Sequence, residues 1–236
     1  MSAPQHQAPA AATAPVFEER LTAALLPDAW RLAGPLLLVG AGLLWGGVGW
    51  VGGAAVFLGL FTLAFFRNPG REIPPGEGQV VSPADGRVIA VGAVETSQGE
   101  KALRIGIFLS IFDVHVNRAP VAGRVVAIER GGSAYRAAFD PAAERQNVRC
   151  AMTLERPGGM RVQVVQITGW IARRIVCQPQ VGEWLARGVR YGLIRFGSRT
   201  DVLLPPDSRA RVARGDRVRG DSSILAELPP EAEPAS

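Results

Sequence analysis

The sequence predicts a mainly β protein: a barrel-sandwich-like β domain with few short helices, preceded by an N-terminal apolar helical hairpin. Three observations carry this reading. No charged residue occurs from Pro35 to Phe66. Beyond Phe66 the chain breaks into short Val/Ile-rich runs separated by Gly, Pro and Asp-Gly signals, the texture of antiparallel β-structure. Two segments, Val181-Gly182-Glu183 through Gly188 and Ala213-Arg214-Gly215-Asp216 through Gly220, look alike, as paired turns in a small barrel or sandwich do.

Four regions follow in order. Residues 1–29 form an arm whose start, Met1 to Ala14, is rich in Ala, Pro and Gln and lacks the basic segment of a secretory signal, so it is expected to be disordered. Residues 30–66 form the hairpin. As one helix, the 32 uncharged positions would run ~48 Å against ~30 Å of hydrocarbon, too long for one straight span. The cluster Gly46-Gly47-Val48-Gly49-Trp50-Val51-Gly52-Gly53 offers a turn in the middle, and each half is then somewhat short of a full crossing. Arg20 and Arg31 precede the run and Arg67 and Arg71 follow it, which puts both flanks on the cytoplasmic side of a cell (inner) membrane. Trp30, Trp45 and Trp50 suit interfacial levels.

Residues 67–226 are the β-rich domain and 227–236 a loose Pro/Glu-rich tail. Strands are expected at Val80 to Ser82, Gly86 to Val94, Leu103 to Ile111, Gly123 to Glu129, Arg161 to Thr168, Ile171 to Cys177, Val189 to Phe196 and Asp201 to Leu204. Ala142 to Arg149 reads as a short turn or surface loop.

Composition narrows the function classes. The net charge is +5, but its basic residues are 25 arginines and a single Lys101, scattered rather than run together, which speaks against nucleic acid. Beside a long apolar stretch, a moderate positive excess fits an anionic membrane surface. Cys150 and Cys177 match no disulfide framework or zinc pattern, so buried thiols and no metal site are expected.

Chemistry concentrates at few positions. Gly197-Ser198 lies between two strand-like runs, and a peptide bond before serine is one at which a chain can cut itself. A serine hydroxyl is a poor nucleophile until a base takes its proton and a third group orients that base. Only His6 and His115 exist, and His115 lies in Phe112-Asp113-Val114-His115-Val116-Asn117-Arg118. The orienting acid is either Asp85, in Ser82-Pro83-Ala84-Asp85-Gly86, or Asp113, which would share a strand face with His115. Spacing alone leaves both open, and Asp85-Gly86 also reads as a hairpin turn.

Taken in order, Phe65-Phe66-Arg67-Asn68-Pro69, Val81-Ser82-Pro83-Ala84-Asp85-Gly86, Asp113-Val114-His115-Val116-Asn117-Arg118-Ala119-Pro120 and Arg195-Phe196-Gly197-Ser198-Arg199 resemble the phosphatidylserine decarboxylase family, in its short proenzyme form. The likeness runs from about Phe65 to Ala226. It implies a pyruvoyl-dependent enzyme that makes phosphatidylethanolamine at the membrane. Ser198 would be the self-cleavage serine and the source of the pyruvoyl group, Gly197 the residue whose carbonyl is released, His115 the base and Asp85 its orienting acid. Cleavage would leave a large chain 1–197 and a small chain 198–236 as a heterodimer, with higher assembly open. Longer members carry a histidine where this chain has Phe112, so a role for that residue does not transfer. Asn117, Arg118 and Arg67 are candidates for contact with the lipid head group.

Independent chemistry agrees. Decarboxylating an amino acid needs an electron sink that side chains lack. Pyridoxal phosphate would require Lys101, which sits in a turn-like setting without a phosphate-binding glycine loop. Two other classes are a membrane-tethered serine peptidase, which would keep its serine hydroxyl, and a non-catalytic barrel-sandwich adaptor. Carrier domains of that shape need a lysine at a hairpin tip, and Val181 to Gly220 has none.

Overall fold

The computed structural model describes residues 27–96, 99–140, 142–170, 174–194 and 197–230. The expected arm up to residue 26 with His6 and Arg20, the start of the run expected from Ile171, Arg195-Phe196 and residues 231–236 of the tail lie outside the described residues.

Helix α1 (Pro27–Trp45) and helix α2 (Gly49–Phe65) form the hairpin and turn at Gly46-Gly47-Val48, where Gly47 has φ +80°. The turn is tighter than the glycine cluster suggested, because Gly52 and Gly53 belong to α2. Helix contact explains Gly40, Gly52 and Gly59: a Cβ there would come within 2.7 Å of Val56, 2.8 Å of Leu44 and 2.7 Å of Leu37 respectively. Small residues let the two backbones approach closely. No described helix is long and apolar enough to cross a membrane; α1, with 19 residues, rises ~28 Å. The hairpin's outer faces are bare, with Leu38 77%, Trp45 95%, Trp50 83% and Phe57 71% exposed. At its open end Phe65 and Phe66 are buried with Ala29, Val114, Val116 and Leu193, which fastens the hairpin to the β domain.

The β domain contains β1 (Gln79–Val81), β2 (Gly86–Glu95), β3 (Lys101–Leu109), β4 (Val116–Arg118), β5 (Gly123–Gly131), the single-turn helix α3 (Ala143–Gln146), β6 (Arg149–Glu155), β7 (Arg161–Ile167), β8 (Ile175–Cys177), β9 (Trp184–Leu185), β10 (Arg190–Ile194), β11 (Ser198–Leu204), β12 (Arg209–Ala210), β13 (Arg217–Val218) and β14 (Ile224–Glu227). An eight-stranded sheet has the order β13-β2-β3-β11-β7-β6-β5-β9, and two three-stranded sheets have the orders β1-β14-β12 and β4-β10-β8. The expected loop at 142–149 is α3 running into β6. Strand β6 was hidden because Cys150, Met152 and Leu154 alternate inward without a β-branched residue among them.

The two look-alike segments take equivalent places. In β13, Val218 pairs with Gly86 and Arg217 with Arg87; in β9, Leu185 pairs with Gly123 and Trp184 with Arg124. The turn bonds match as well: Val88 N–H donates to Asp216 O and Gly215 N–H to Val88 O, while Val125 N–H donates to Glu183 O and Gly182 N–H to Val125 O. Each partner strand then bulges two residues on, between Val88 and Ala90 and between Val125 and Ala127. The two edges of the large sheet are thus closed by the same device, which blunts otherwise unpaired strand edges. Between the layers lies one core of Val88, Ile105, Ile107, Met152, Tyr191 and Val202, among others.

Arg118 and Asp221, 3% and 1% exposed, form an ion pair in this core. Arg118 also donates to Pro69 O at 2.8 Å, and Asp221 N–H donates to Ser82 O at 2.9 Å, so the pair joins the segment after the hairpin to the end of the β domain. Asp221→Ala leaves a buried guanidinium without its counter-charge and should lower stability by about 3–5 kcal/mol. Urea unfolding measures this as a fall in midpoint at unchanged slope.

Candidate active site

Strand β11 runs between β3 and β7, with Ser198 opposite Leu109. Ser198 is therefore the first residue of a central strand rather than part of a loop, and it is fully buried. Gly197 before it has φ +59°, a left-handed conformation that glycine adopts at no steric cost. Its carbonyl lies against Gly169, where an added Cβ would come within 1.8 Å of the oxygen.

Alternation along β11 sends Ser198 and Thr200 to one face and Arg199 and Asp201 to the other. On the first face Asn117 Nδ2 donates to Thr200 Oγ1 at 3.1 Å, and Gln166 Nε2 donates to Asn117 Oδ1 at 2.8 Å. On the second, Arg199 grips Asp201 through two bonds of 2.6 Å, with both side chains buried. Gly106 leaves room for this pair: a Cβ there would come within 2.9 Å of Asp201 Oδ1. Burial pushes the Asp201 carboxyl up, opposed by the guanidinium beside it. The strand carrying Ser198 is thereby pinned on both faces. Among the described residues, however, the Ser198 hydroxyl has no hydrogen-bond partner.

His115 is 3% exposed and stacks on Phe65 with ring centroids 4.2 Å apart. Its carbonyl accepts from Ile194 N–H at 3.3 Å, which ties it to the strand leading into Gly197. No side chain among the described residues is hydrogen-bonded to the ring, and the polar group that acts on it most directly is the Asp113 backbone. Burial lowers its pKa from 6.5 to about 4; the Arg67 charge acts in the same direction, while Asp113 and, less strongly, Asp85 oppose it. At neutral pH this is an uncharged imidazole.

Both candidate acids have other partners. Asp85 accepts from Arg71 at 2.6 and 2.7 Å and from Gly220 N–H at 2.8 Å. Asp85-Gly86 is not a hairpin turn, since β1 pairs with β14 and not with β2. Asp113 accepts from Ser110 N–H at 2.8 Å, from its hydroxyl at 2.7 Å and from Arg217 at 3.2 Å. Neither carboxylate is hydrogen-bonded to His115.

Of the head-group candidates, Asn117 and Arg118 are buried and engaged as described. Arg67 is half-buried and donates to Ala64 O at 2.7 Å and Phe112 O at 2.5 Å, closing the end of α2 over the loop that precedes His115. Phe112 is 68% exposed. A concavity of about 720 Å³, lined by Gln79, Trp184, Arg187 and Leu228 among others, includes none of Ser198, His115 and Asp85.

Sequence reasoning missed several contributors. The Arg199–Asp201 pair had a signal, two opposite charges spaced for one face of a single strand. Arg71 was noticed only for its place after the hairpin. Gly169 had no signal, because its importance lies in a carbonyl that arrives from another strand.

Residues 58–226 match the family described as phosphatidylserine decarboxylase. The phosphatidylserine decarboxylase proenzyme of Symbiobacterium thermophilum is 46% identical over 205 residues, covering 86% of this chain and 94% of that one. The proenzyme of the same name from Pelobacter propionicus is 49% identical over 172 residues, covering 72% and 78%. That of Ralstonia nicotianae is 42% identical over 208 residues, covering 85% and 94%. The match takes in the last turns of the hairpin's second helix, the Asp85 and His115 segments and the Gly197-Ser198 junction, and the chain belongs to the phosphatidylserine decarboxylase family.

Proposed function

We propose that the chain cuts itself between Gly197 and Ser198, and that the mature enzyme decarboxylates phosphatidylserine to phosphatidylethanolamine and CO2 at the cytoplasmic face of the cell membrane. The observation that carries this reading is a buried serine hydroxyl without a partner, next to a left-handed glycine. A polar group left unpaired costs about 1–3 kcal/mol of desolvation, so such a group calls for a function.

Ser198 Oγ is the nucleophile and the Gly197 carbonyl carbon its target. As the new C–O bond forms, the Ser198 amide C–N bond breaks and an ester joins the two halves. Removal of the Ser198 α-proton then expels the Gly197 carboxylate, and water replaces the nitrogen, which leaves as ammonia. His115, uncharged and held near the strand that leads to the junction, is the base for this sequence. Asp85 acts on His115 through its field, with its own position set by Arg71. Ser198 fits as the source of a pyruvoyl group because it would begin the small chain inside a dry, pinned sheet. That group supplies the electron sink that decarboxylation requires. The first residue of the small chain would stay anchored by β11 between β3 and β7, so the large chain 1–197 and small chain 198–236 remain one heterodimer.

Membrane attachment is supported by the bare apolar faces of the hairpin, which in water would form an unusually large exposed patch. Because Phe65 at the hairpin's base packs on His115, the reacting centre would lie next to the lipid surface.

Ser198→Ala should leave a single uncut chain on intact-mass analysis; two fragments split at this junction would reject the assignment. Gly169→Ala should slow cleavage at least tenfold while the fold survives, because the methyl displaces the Gly197 carbonyl. With a folded pKa of about 4 against an ordinary 6.5, His115 binds its proton later than the unfolded chain does as pH falls. Its contribution to stability is complete above about 6.5 and is lost on acidification toward about 4. The cleavage rate of the precursor should therefore stay flat through pH 6 and fall only near pH 4; an acid limb at 6.5 would assign the base to a solvated group.

A further inference from the structure

We infer that a hollow lined by Arg130, Arg149 and Arg174, at the same end of the large sheet as Ser198, is a binding site for a phosphate group. The hollow has a volume of about 470 Å³, within the roughly 300–1,000 Å³ of small-ligand sites. Its lining holds three guanidinium groups and no carboxylate. None of the three arginines makes an ion pair among the described residues. The neighbouring acid, Glu144, turns its carboxylate to Arg104 and Arg199 instead. Three like charges around one hollow repel each other unless an anion joins them.

The hollow is built, not merely charged. Arg149 Nη1 donates to Arg145 O at 2.7 Å, which holds its guanidinium over Gly131; a Cβ on Gly131 would come within 3.6 Å of Arg149 Nη2. Gly132 has φ +77°, and a Cβ there would come within 1.9 Å of Asn147 O. Only glycine permits this approach, which brings the end of β5 against the start of β6, so that Arg130 and Arg149 line the same hollow. The thiol of Cys150 in the lining reports the local field: its pKa is lowered to about 7, first by a hydrogen bond from Cys177 and further by Arg130, against the effect of burial. Guanidinium forks match phosphate oxygens in pairs, which makes phosphate the fitting ligand class.

Position links the hollow to the reaction. Arg130 is opposite Cys150, Cys150 opposite Gln166, and Gln166 opposite Thr200, which shares its face of β11 with Ser198. Cys150 in the lining is therefore two strands from Thr200, roughly 10 Å at ~4.8 Å per strand. Ile175, next to Arg174, pairs with Ile194 just before the junction. A phosphodiester only a few bonds from the carboxylate of a seryl lipid would come within reach of both places. This link to substrate rests on the function proposed above; phosphate binding itself does not.

The test uses full-length chains carrying Arg130→Gln and Arg174→Gln, both exposed positions, with Arg149 left intact. Inorganic phosphate is titrated calorimetrically into the uncleaved Ser198→Ala chain with and without the two changes, so this arm stands even if no decarboxylase activity exists. In parallel, kcat and KM for phosphatidylserine in detergent micelles are compared between processed enzymes. A fall in phosphate affinity of about tenfold per arginine supports the site. A similar rise in KM, with kcat and self-cleavage unchanged, supports it and identifies the occupant as the lipid phosphodiester. Lost phosphate binding with unchanged KM supports a site for free phosphate. If both the phosphate titration and KM are the same with and without the arginines, the inference is overturned.

Discussion

The structure depends on one desolvated junction. Strand β11, between β3 and β7 in the middle of the large sheet, begins at Ser198, and that residue is fully buried. Buried polar groups without a side-chain partner are costly, and the Ser198 hydroxyl and the His115 ring are two of them among the described residues. Neighbouring side chains hold the strand in place: Asn117, Gln166 and Thr200 bond each other on one face, and Arg199 and Asp201 on the other. In the function proposed, fixed neighbours would leave Ser198 and His115 free to meet a new partner without competition from water.

The same junction explains why the hairpin and the β domain form one body. Phe65 ends α2 and also covers the His115 ring, so the contact that docks the hairpin also helps bury that ring. Arg67 continues the theme, closing the helix end and bonding the Phe112 carbonyl in the loop before His115. Its positive charge adds to burial in keeping the imidazole neutral. If the hairpin enters lipid as proposed, membrane docking and the protonation state of the base are governed by neighbouring residues.

Much of the fold was legible in the sequence. The helical hairpin, most long strands and the kinship of the two glycine-bearing turns followed from hydrophobic runs and turn residues, and these turns proved to close the two edges of the large sheet. Strand β6 was not legible, since its alternation is carried by Cys150, Met152 and Leu154, residues with weak strand preference. The hairpin glycines were half legible: a turn was expected of the cluster Gly46 to Gly53, whereas Gly52 within it, and Gly40 and Gly59 outside it, serve helix contact, which depends on a partner helix the local pattern does not specify. In the site, Ser198, His115 and Asp85 were found as residue types within motifs. Asp85's engagement by Arg71 and Gly220, and the burial of Asn117 and Arg118, depend on segments distant in sequence.

By itself the sequence determined the family, the mainly β composition and the helical hairpin, and it picked out the few residues on which the proposed chemistry rests, because those are properties of residue type, order and spacing. Only the tertiary structure decided which of these groups are dry, which are already paired, and that Gly169 makes room for the Gly197 carbonyl. The reason is physical: desolvation, hydrogen-bond satisfaction and close backbone approach are produced by atoms that arrive from other strands, and no local stretch of chain contains them.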